Sequence, residues 1–283
     1  MTLLEQAAIV IGVTALSVAF LWVARRSPYN ERFASEVGEH NKAFDFLGTA
    51  FAVLLAFVVL EAYDSYNEAK RGAELEAQAV LELSRTAEAY EPEQNAALKG
   101  ELVCYGRAVV HQGWPAMREE QSSPAVNEWG SRFRVEVLAL DPQTFIQKDS
   151  FRQLLIEQDE RIEGRRTRLA EAIRVVPRPL WIVLLIGAAL TIGWVALSAS
   201  RRGSFLVQAA VVASVAVMVT SALLLVWFLD HPFSEEHGSI TPIEMEHVLH
   251  TIEEEQAGSR ASELHPPCTE TGDPLEGDAP HEA

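Results

Sequence analysis

Acidic side chains near one hydrophobic segment are the residues best placed to act on ions. Asp45 lies near the start of the segment at residues 43–63, and Glu61 and Asp64 lie at its end. Glu61 and Asp64 are three residues apart, so they share one face of a helix. Because charges at membrane depth are costly, they usually face protein or water. These carboxylates indicate either a pore or ion site, or the interface at which the helix leaves the lipid.

Small and hydroxyl-bearing residues occur within the hydrophobic segments, among them Gly48, Thr49, Ser214, Thr220 and Ser221. Such residues either line a pore or allow two helices to pack closely, since small side chains permit close approach of the backbones. The sequence leaves both interpretations open.

The turn Leu229-Asp230-His231-Pro232-Phe233 follows the last hydrophobic segment. Asp230 can accept hydrogen bonds or pair with an arginine at the interface, and Pro232 stops the helix because it lacks a backbone N–H. Phe233 can pack back on a folded domain. We predict a structural role for this interface turn, with ligand binding by Asp230 or His231 as the alternative.

Three arginines, Arg161, Arg165 and Arg168, recur at helical spacing on one face, and four acidic residues surround them: Glu157, Glu160, Glu163 and Glu171. One interpretation is an anion-attracting vestibule or a contact with lipid headgroups. The other is a salt-bridged surface, or pairing with the acidic helix that continues from the second hydrophobic segment.

Signatures of catalysis and metal binding are missing from the sequence. Cys104 and Cys268 are far apart and form no Cys-x-x-Cys pair, so we expect two unrelated thiols and no zinc site. His247 and His250 lie in a polar region and are expected to be solvated. The GxSxG, GxGxxG, phosphate-loop and HExxH motifs do not occur. We predict no catalytic residue, no metal and no cofactor, and therefore not an enzyme.

Four apolar segments are long enough to cross a bilayer, which takes about 20 residues. They lie at about residues 7–24, 43–63, 180–198 and 205–229. Trp181 and Trp227 stand near segment ends, where an apolar ring with one N–H donor suits the interface. Because Arg25 and Arg26 follow the first segment rather than precede it, we interpret that segment as an anchor and not a signal peptide.

The region between the second and third segments is rich in helix-forming residues and contains no long alternating pattern typical of strands. The second segment is expected to continue as one helix to about Tyr90, with a stripe formed by Ala73, Ala77, Val80, Leu81 and Ser84. Further helices are expected from Pro92 to about Gln112, where Gly113-Trp114-Pro115 breaks the helix, then at 132–140 and 145–176, with a loop at 119–131.

The fold class predicted is therefore an all-α integral membrane protein, with four transmembrane helices and a helical soluble domain inserted between helices 2 and 3. The predicted parts are 1–63, 64–178, 179–230 and 231–283. The last part holds 13 acidic residues and one basic residue, Arg260, of a chain with net charge −17, and we expect it to be mostly disordered. No basic stripe with aromatics occurs, so nucleic acid is not an expected partner.

Charges beside the segments give conflicting signals for orientation. Arg25, Arg26, Arg201 and Arg202 lie in the two short loops, which places those loops in the cytoplasm and the large domain and both termini outside. Six further arginines cluster shortly before the third segment: Arg161, Arg165, Arg166, Arg168, Arg174 and Arg178. The sequence leaves the sidedness open.

Several sequence pieces, in order, carry a family resemblance. They are Leu47 to Val59 (LGTAFAVLLAFVV) with Tyr63 to Ala69, Tyr105 with Val109-Val110 and Trp114-Pro115-Ala116-Met117, Arg165 to Leu169, Pro177-Arg178-Pro179-Leu180-Trp181, and Leu229 to Phe233. Over about residues 1–250 the chain resembles the bacterial bestrophin-like domain family. Gly113 departs from that pattern, in which an acidic residue precedes Trp114.

The resemblance implies a four-span multi-pass protein of the cell membrane. By analogy with bestrophin channels, which conduct anions, it implies a homo-oligomer, by that analogy alone a pentamer, with the second helix around a pore. Gly48, Thr49, Ala52, Glu61 and Asp64 are then the expected pore-lining residues, although carboxylates facing the axis favour cations. The alternative function is a non-conducting membrane scaffold or sensor whose helical domain binds a partner.

Overall fold

The chain folds as a set of helices in a computed structural model that describes residues 2–27, 41–173, 175–199, 203–258 and 265–275. The helices are α1 (Leu3–Arg26), α2 (Asn41–Thr86), α3 (Pro92–Ala108), α4 (Trp114–Arg118), α5 (Pro124–Ala139), α6 (Phe145–Ala170), α7 (Arg178–Leu197), α8 (Phe205–Leu229) and α9 (Ile243–Gly258). A 3₁₀ turn at Ala87–Ala89 follows α2, and a π-helical segment at Val109–Gly113 joins α3 to α4. Within the described ranges no strand occurs, only one isolated bridge between Cys268 and Pro274.

Four of these helices are long and apolar enough to cross a membrane, as the sequence predicts: α1, the first part of α2, α7 and α8. A capping box between Thr2 and Glu5 starts α1, and Arg25 and Arg26 occupy its last turn, where cations are favourable. Arg201, Arg202 and Arg174, which enter the orientation argument, lie outside the described residues, as does the side chain of Asp45.

The chain divides into two compact units. The first comprises Met1–Ser65 and Arg174–His231, and the second comprises Tyr66–Ile173 and Pro232–Ala283. We call the first unit the membrane unit because it holds the apolar helices. In it, α2 packs on α7 where the Phe51 ring covers Gly187, and a Cβ at Gly187 would come within 2.3 Å of that ring. Leu21 of α1, Ala196 of α7 and Val212 of α8 form a second small core.

The second unit has a core of its own, built on the last part of α2. The expected stripe is confirmed there, since Ala73, Ala77, Val80 and Ser84 are all buried and Leu81 packs partly buried against the same core. Opposite them lie large side chains that share this core, including Leu102, Tyr105, Trp129 and Phe133. We call the second unit the helical unit.

The predicted helix boundaries within the helical unit are partly wrong. Gly113-Trp114-Pro115 does not break the helix, because the π-helical segment widens the backbone just where Pro115 cannot donate a hydrogen bond. Part of the predicted loop at 119–131 is helical, since α5 starts at Pro124 behind the cap Ser123. Helix α6 ends at Ala170, earlier than the predicted end at 176.

The acidic C-terminal region differs most from the expectation of disorder, which is wrong for 232–258 and 265–275. Helix α9 contributes Met245, Val248 and Ile252 to the core of the helical unit. The expectation of two unrelated thiols is also wrong, because Cys104 and Cys268 form a disulfide. The many acidic residues of α9 dominated the composition on which the prediction of disorder rested, so its narrow apolar face was overlooked.

Candidate functional site

The residues predicted to line a pore lie on one helix, α2, but on two of its sides. Ala52 and Glu61 are nine residues apart, which is about 2.5 helical turns, so they point in opposite directions. Gly48 and Thr49 lie on the side of Ala52, and Asp64 lies on the side of Glu61. The pore role of all five residues stays a prediction.

Gly48, Thr49 and Ala52 line a crevice of about 840 Å³ in the membrane unit. Its other walls come from α7, with Thr191 and Trp194, and from α8, with Gln208. Most of the remaining lining is aliphatic, so the crevice is an apolar space with a few hydroxyl and amide groups. Such a lining suits close packing with another apolar surface as well as a dry, narrow conduction path.

Glu61 lines a smaller cavity of about 260 Å³, together with Phe57, Val175, Val176 and Leu180. Its carboxylate is exposed, and so is that of Asp64, which lines neither this cavity nor the larger crevice. The carboxylates therefore stand apart from the hydroxyl-bearing side of α2 that faces the crevice.

The interface turn centres on Asp230, which is buried at the C-terminal end of α8. One carboxylate oxygen accepts hydrogen bonds from the backbone N–H groups of Val175 (3.0 Å) and Val176 (2.9 Å). The other accepts a bond from Nε1 of Trp181 at 3.4 Å. Asp230 thus holds the segment that precedes α7 against the C-terminal end of α8. Val176, in that segment, also lines the cavity beside Glu61.

Replacing Asp230 by Ala is expected to destabilise the membrane unit by about 1–3 kcal/mol, because it leaves two backbone donors without an acceptor. Asp230→Asn keeps one acceptor oxygen and is expected to cost less. Thermal unfolding in detergent, with hydrogen exchange at Val175 and Val176, measures both. Glu235→Ala, which removes a 75% exposed carboxylate, is the control. Equal melting temperatures for Asp230→Ala and Glu235→Ala would contradict the assignment.

Pro232 and Phe233, the last two residues of the interface turn, belong to the helical unit. The ring of Phe233 meets that of Trp114 edge to face, with centroids 5.7 Å apart. Pro232 accepts a hydrogen bond from Ile240 at 2.8 Å through its carbonyl. Trp114 Nε1 donates to the Ile240 carbonyl at 3.1 Å. Phe233 thus packs on the domain, as its sequence context suggested.

A buried polar network lies inside the helical unit. Glu76 of α2 is fully buried and accepts two hydrogen bonds from Arg168 of α6, at 2.5 and 3.0 Å. The hydroxyl of Tyr105, on α3, donates a hydrogen bond to the same carboxylate. Burial raises the pKa of the Tyr105 phenol to about 12, with a further increase from Glu76, so the hydroxyl stays a donor.

The three arginines that the sequence placed on one face, Arg161, Arg165 and Arg168, therefore contact other parts of the protein rather than forming an open anion vestibule. Arg168 also stacks over the Trp114 ring, with its guanidinium carbon 4.8 Å from the centroid. Arg161 is buried over the Tyr105 ring at 4.3 Å, and Arg165 donates to Asn127 at 2.6 Å. Of the two sequence interpretations, pairing with the acidic helix α2 is the one observed for Arg168.

Helices α2 and α6 cross at two glycines beside this network. A Cβ on Gly72 would stand 2.6 Å from the backbone nitrogen of Arg168, and one on Gly164 would stand 2.6 Å from the backbone nitrogen of Glu76. The backbones thus touch one helical turn from the ion pair, and the absence of side chains brings Glu76 within reach of Arg168.

Sequence reasoning missed Glu76 as a network residue, because it is one of many glutamates on α2. Tyr105 carried a signal only through the family resemblance. The Gly72 and Gly164 pair gave the strongest available signal, since each is a lone glycine inside an otherwise good helical sequence.

Comparisons with known proteins cover most of the chain. The family model described as "Bestrophin-like domain" matches residues 11–239. No curated protein matches. The fold is similar to a crystal structure of a bacterial bestrophin homologue from Klebsiella pneumoniae, with 16% identity, TM-score 0.69 and coverage of 86% of this chain and 97% of that one. The fold is also similar to a variant of that homologue, with 14% identity, TM-score 0.71 and coverage of 88% of this chain and 99% of that one. At such identity the likeness establishes the fold alone.

Proposed function

Because the chain belongs to the bestrophin-like domain family, we propose that it is an oligomeric ion channel of the cell membrane, with α2 around the pore. The observation that carries the proposal is the family match over residues 11–239, joined to a bestrophin fold with four apolar helices. The helical unit is then an extramembrane domain, of which Tyr66–Ile173 is inserted between the second and third spans and Pro232–Ala283 follows the fourth.

The apolar surface of α2 supports assembly of several copies. Val53, Phe57 and Leu60 are 51%, 66% and 55% exposed in the single chain. In a membrane, such side chains contact lipid or a neighbouring copy. A closed ring of identical chains, with five copies as in the analogy to bestrophins, would place α2 of each copy at the axis.

The two sides of α2 give two different channels. A lining of Gly48, Thr49 and Ala52 is neutral and hydroxyl-bearing, which is compatible with anions. A lining that includes Glu61 and Asp64 would present rings of carboxylates, which repel anions and favour cations. The permeant ion therefore reports which side of α2 faces the axis.

Ion flux from liposomes that contain the purified oligomer tests the proposal, with chloride and sodium gradients applied separately. Selective flux in either gradient supports a pore. Silence in both gradients, with the oligomer shown to be intact, would contradict it and favour the non-conducting scaffold or sensor. The second function is supported by the size of the helical unit and by its separate core, to which the C-terminal region contributes.

Replacing Glu61 by Gln is expected to shift the reversal potential towards chloride if the carboxylate lines the pore. A unit charge about 4 Å from a passing ion contributes about 1 kcal/mol even in water, so a ring of them changes the permeability ratio severalfold. Glu93→Gln, an exposed change of the same charge in the helical unit, is the control. An unchanged reversal potential in Glu61→Gln channels removes Glu61 from the pathway.

A further inference from the structure

The covalent bond between Cys104 and Cys268 bears on the side of the membrane that the helical unit faces. Cys104 lies in α3 and is fully buried, and Cys268 is 5% exposed. Disulfides form and persist in oxidising compartments, whereas thiols in the cytoplasm are kept reduced. We propose that this pair is an oxidative modification site outside the cytoplasm, so that the helical unit and both chain termini face outward and the two short loops face the cytoplasm.

The chain order is compatible with the bond. Cys104 precedes α7 and α8, and Cys268 follows both. Two spans separate the cysteines, and an even number of crossings returns the chain to the side from which it started. The N-terminus, the helical unit and the C-terminal region therefore share one side, and the loops after α1 and α7 share the other.

The short loops carry the charges expected of cytoplasmic loops. Arg25 and Arg26 end α1, and Arg201 and Arg202 follow α7 in the sequence. Arg25 donates to the Gln208 side chain at 2.6 Å and to the Gly203 carbonyl at 3.0 Å, both near the start of α8. Positively charged residues in short loops next to spans are the ones that set orientation.

Three of the six opposing arginines before α7 are held by contacts inside the helical unit. Arg168 is paired with Glu76 in the interior of the helical unit, Arg161 is buried over Tyr105, and Arg165 bonds to Asn127. These side chains belong to a folded domain, and large domains cross a membrane largely regardless of their charge. The cluster that opposes the short loops is thereby reduced to Arg166, Arg174 and Arg178, which are fewer than the four arginines of the short loops.

The segment around Cys268 docks on the helical unit through contacts that bring the two sulfurs together. Gly272 adopts φ +82°, in the left-handed region, and its backbone reaches that of Ala108 so closely that a Cβ would stand 2.5 Å from the Ala108 nitrogen. The Gly272 carbonyl accepts a hydrogen bond from Trp129 Nε1 at 2.7 Å. Gln112 Nε2 donates to the Thr271 carbonyl and to Asp273, both at 3.1 Å.

The electrons and protons of the oxidation balance when the oxidant is the disulfide form of a thiol oxidoreductase. The thiols of Cys104 and Cys268 lose two protons and two electrons as the S–S bond forms. The electrons pass to the disulfide of a thiol oxidoreductase outside the cytoplasm, which takes up two protons and leaves as a dithiol. The reaction proceeds through a mixed disulfide with the oxidoreductase. Cys268 can form that mixed disulfide before its segment docks on the helical unit.

Labelling of the full-length protein in intact bacterial cells tests the orientation. Glu93→Cys adds an exposed thiol to the helical unit, and Ser204→Cys adds one at the exposed start of α8, with the native pair left in place. A membrane-impermeant maleimide is expected to label the Glu93→Cys protein and to give no labelling of the Ser204→Cys protein until the cells are permeabilised. The reverse pattern overturns the proposal.

The native pair supplies a second, independent readout. Alkylation of the wild-type protein under denaturing conditions is expected to find no free thiol, and to find two after reduction. In cells that lack the extracytoplasmic dithiol oxidant, two free thiols are expected without reduction. Two free thiols in normal cells, or a disulfide that forms equally well without that oxidant, would overturn the proposal. Neither readout depends on ion conduction, so a failure here is distinct from failure of the channel.

Discussion

Replacing Arg168 by Met is expected to destabilise the helical unit by about 3–5 kcal/mol, because it leaves the Glu76 carboxylate buried without its counter-charge. Both side chains are only 1% exposed, so water cannot solvate the remaining charge. Met fills a similar volume but donates no hydrogen bond. The loss also removes the guanidinium that stacks over Trp114. Hydrogen exchange of the amides of α2 and α6 measures the change in the free energy of opening.

The matched control is Arg71→Met on α2, the helix that carries Glu76. Arg71 pairs with Glu68 at 2.8 Å, but their side chains are 72% and 50% exposed, so the expected change is within about 0.5 kcal/mol. The double variant Glu76→Gln with Arg168→Met removes both charges and is expected to recover most of the loss. If Arg168→Met changed protection no more than Arg71→Met, the buried ion pair would not stabilise the unit.

Adding one methyl group at the crossing of α2 and α6 is expected to have the second large effect. Gly164→Ala would place its Cβ 2.6 Å from a backbone nitrogen and 2.9 Å from a carbonyl oxygen of α2, and backbone atoms cannot rotate away as a side chain can. The helices must separate, which stretches the bonds between Glu76 and Arg168. We expect a loss of about 1–3 kcal/mol or more in the helical unit, measured by hydrogen exchange.

Gly12→Ala in α1 provides a control of opposite sign. A Cβ at Gly12 meets no atom within 4 Å, so only the helix propensity changes, and alanine is favoured over glycine by about 0.5–1 kcal/mol. Gly72→Ala should behave like Gly164→Ala, because its Cβ meets the other backbone. A Gly164→Ala protein as stable as the wild type would show that the two helices do not pack at this distance.

Elements whose pattern repeats along the chain were predictable from sequence. The bilayer demands about 20 apolar residues per helix, so all four spans could be located from composition alone. The continuation of α2 beyond the membrane followed from helix-forming residues without proline. The π-helical segment at Val109–Gly113 was not predictable, because it leaves no periodic signal. The start of α5 at Pro124 does carry a local signal, since Ser123 caps the helix and Pro124 fits its first turn, and the predicted loop overlooked it.

Contacts between distant residues could be decided only by the tertiary structure. Glu76 and Arg168 are 92 residues apart, and Cys104 and Cys268 are 164 apart, and nothing local marks either partner for the other. The acidic composition of the C-terminal region predicted solvation, whereas burial of the apolar side of α9 against the helical unit outweighs that preference. By itself the sequence determined the spans, the long helix and the family, because local physics and motif order encode them. The tertiary structure decided which charges are buried, which thiols meet and which side of α2 faces the crevice, because each of these depends on the three-dimensional register between helices.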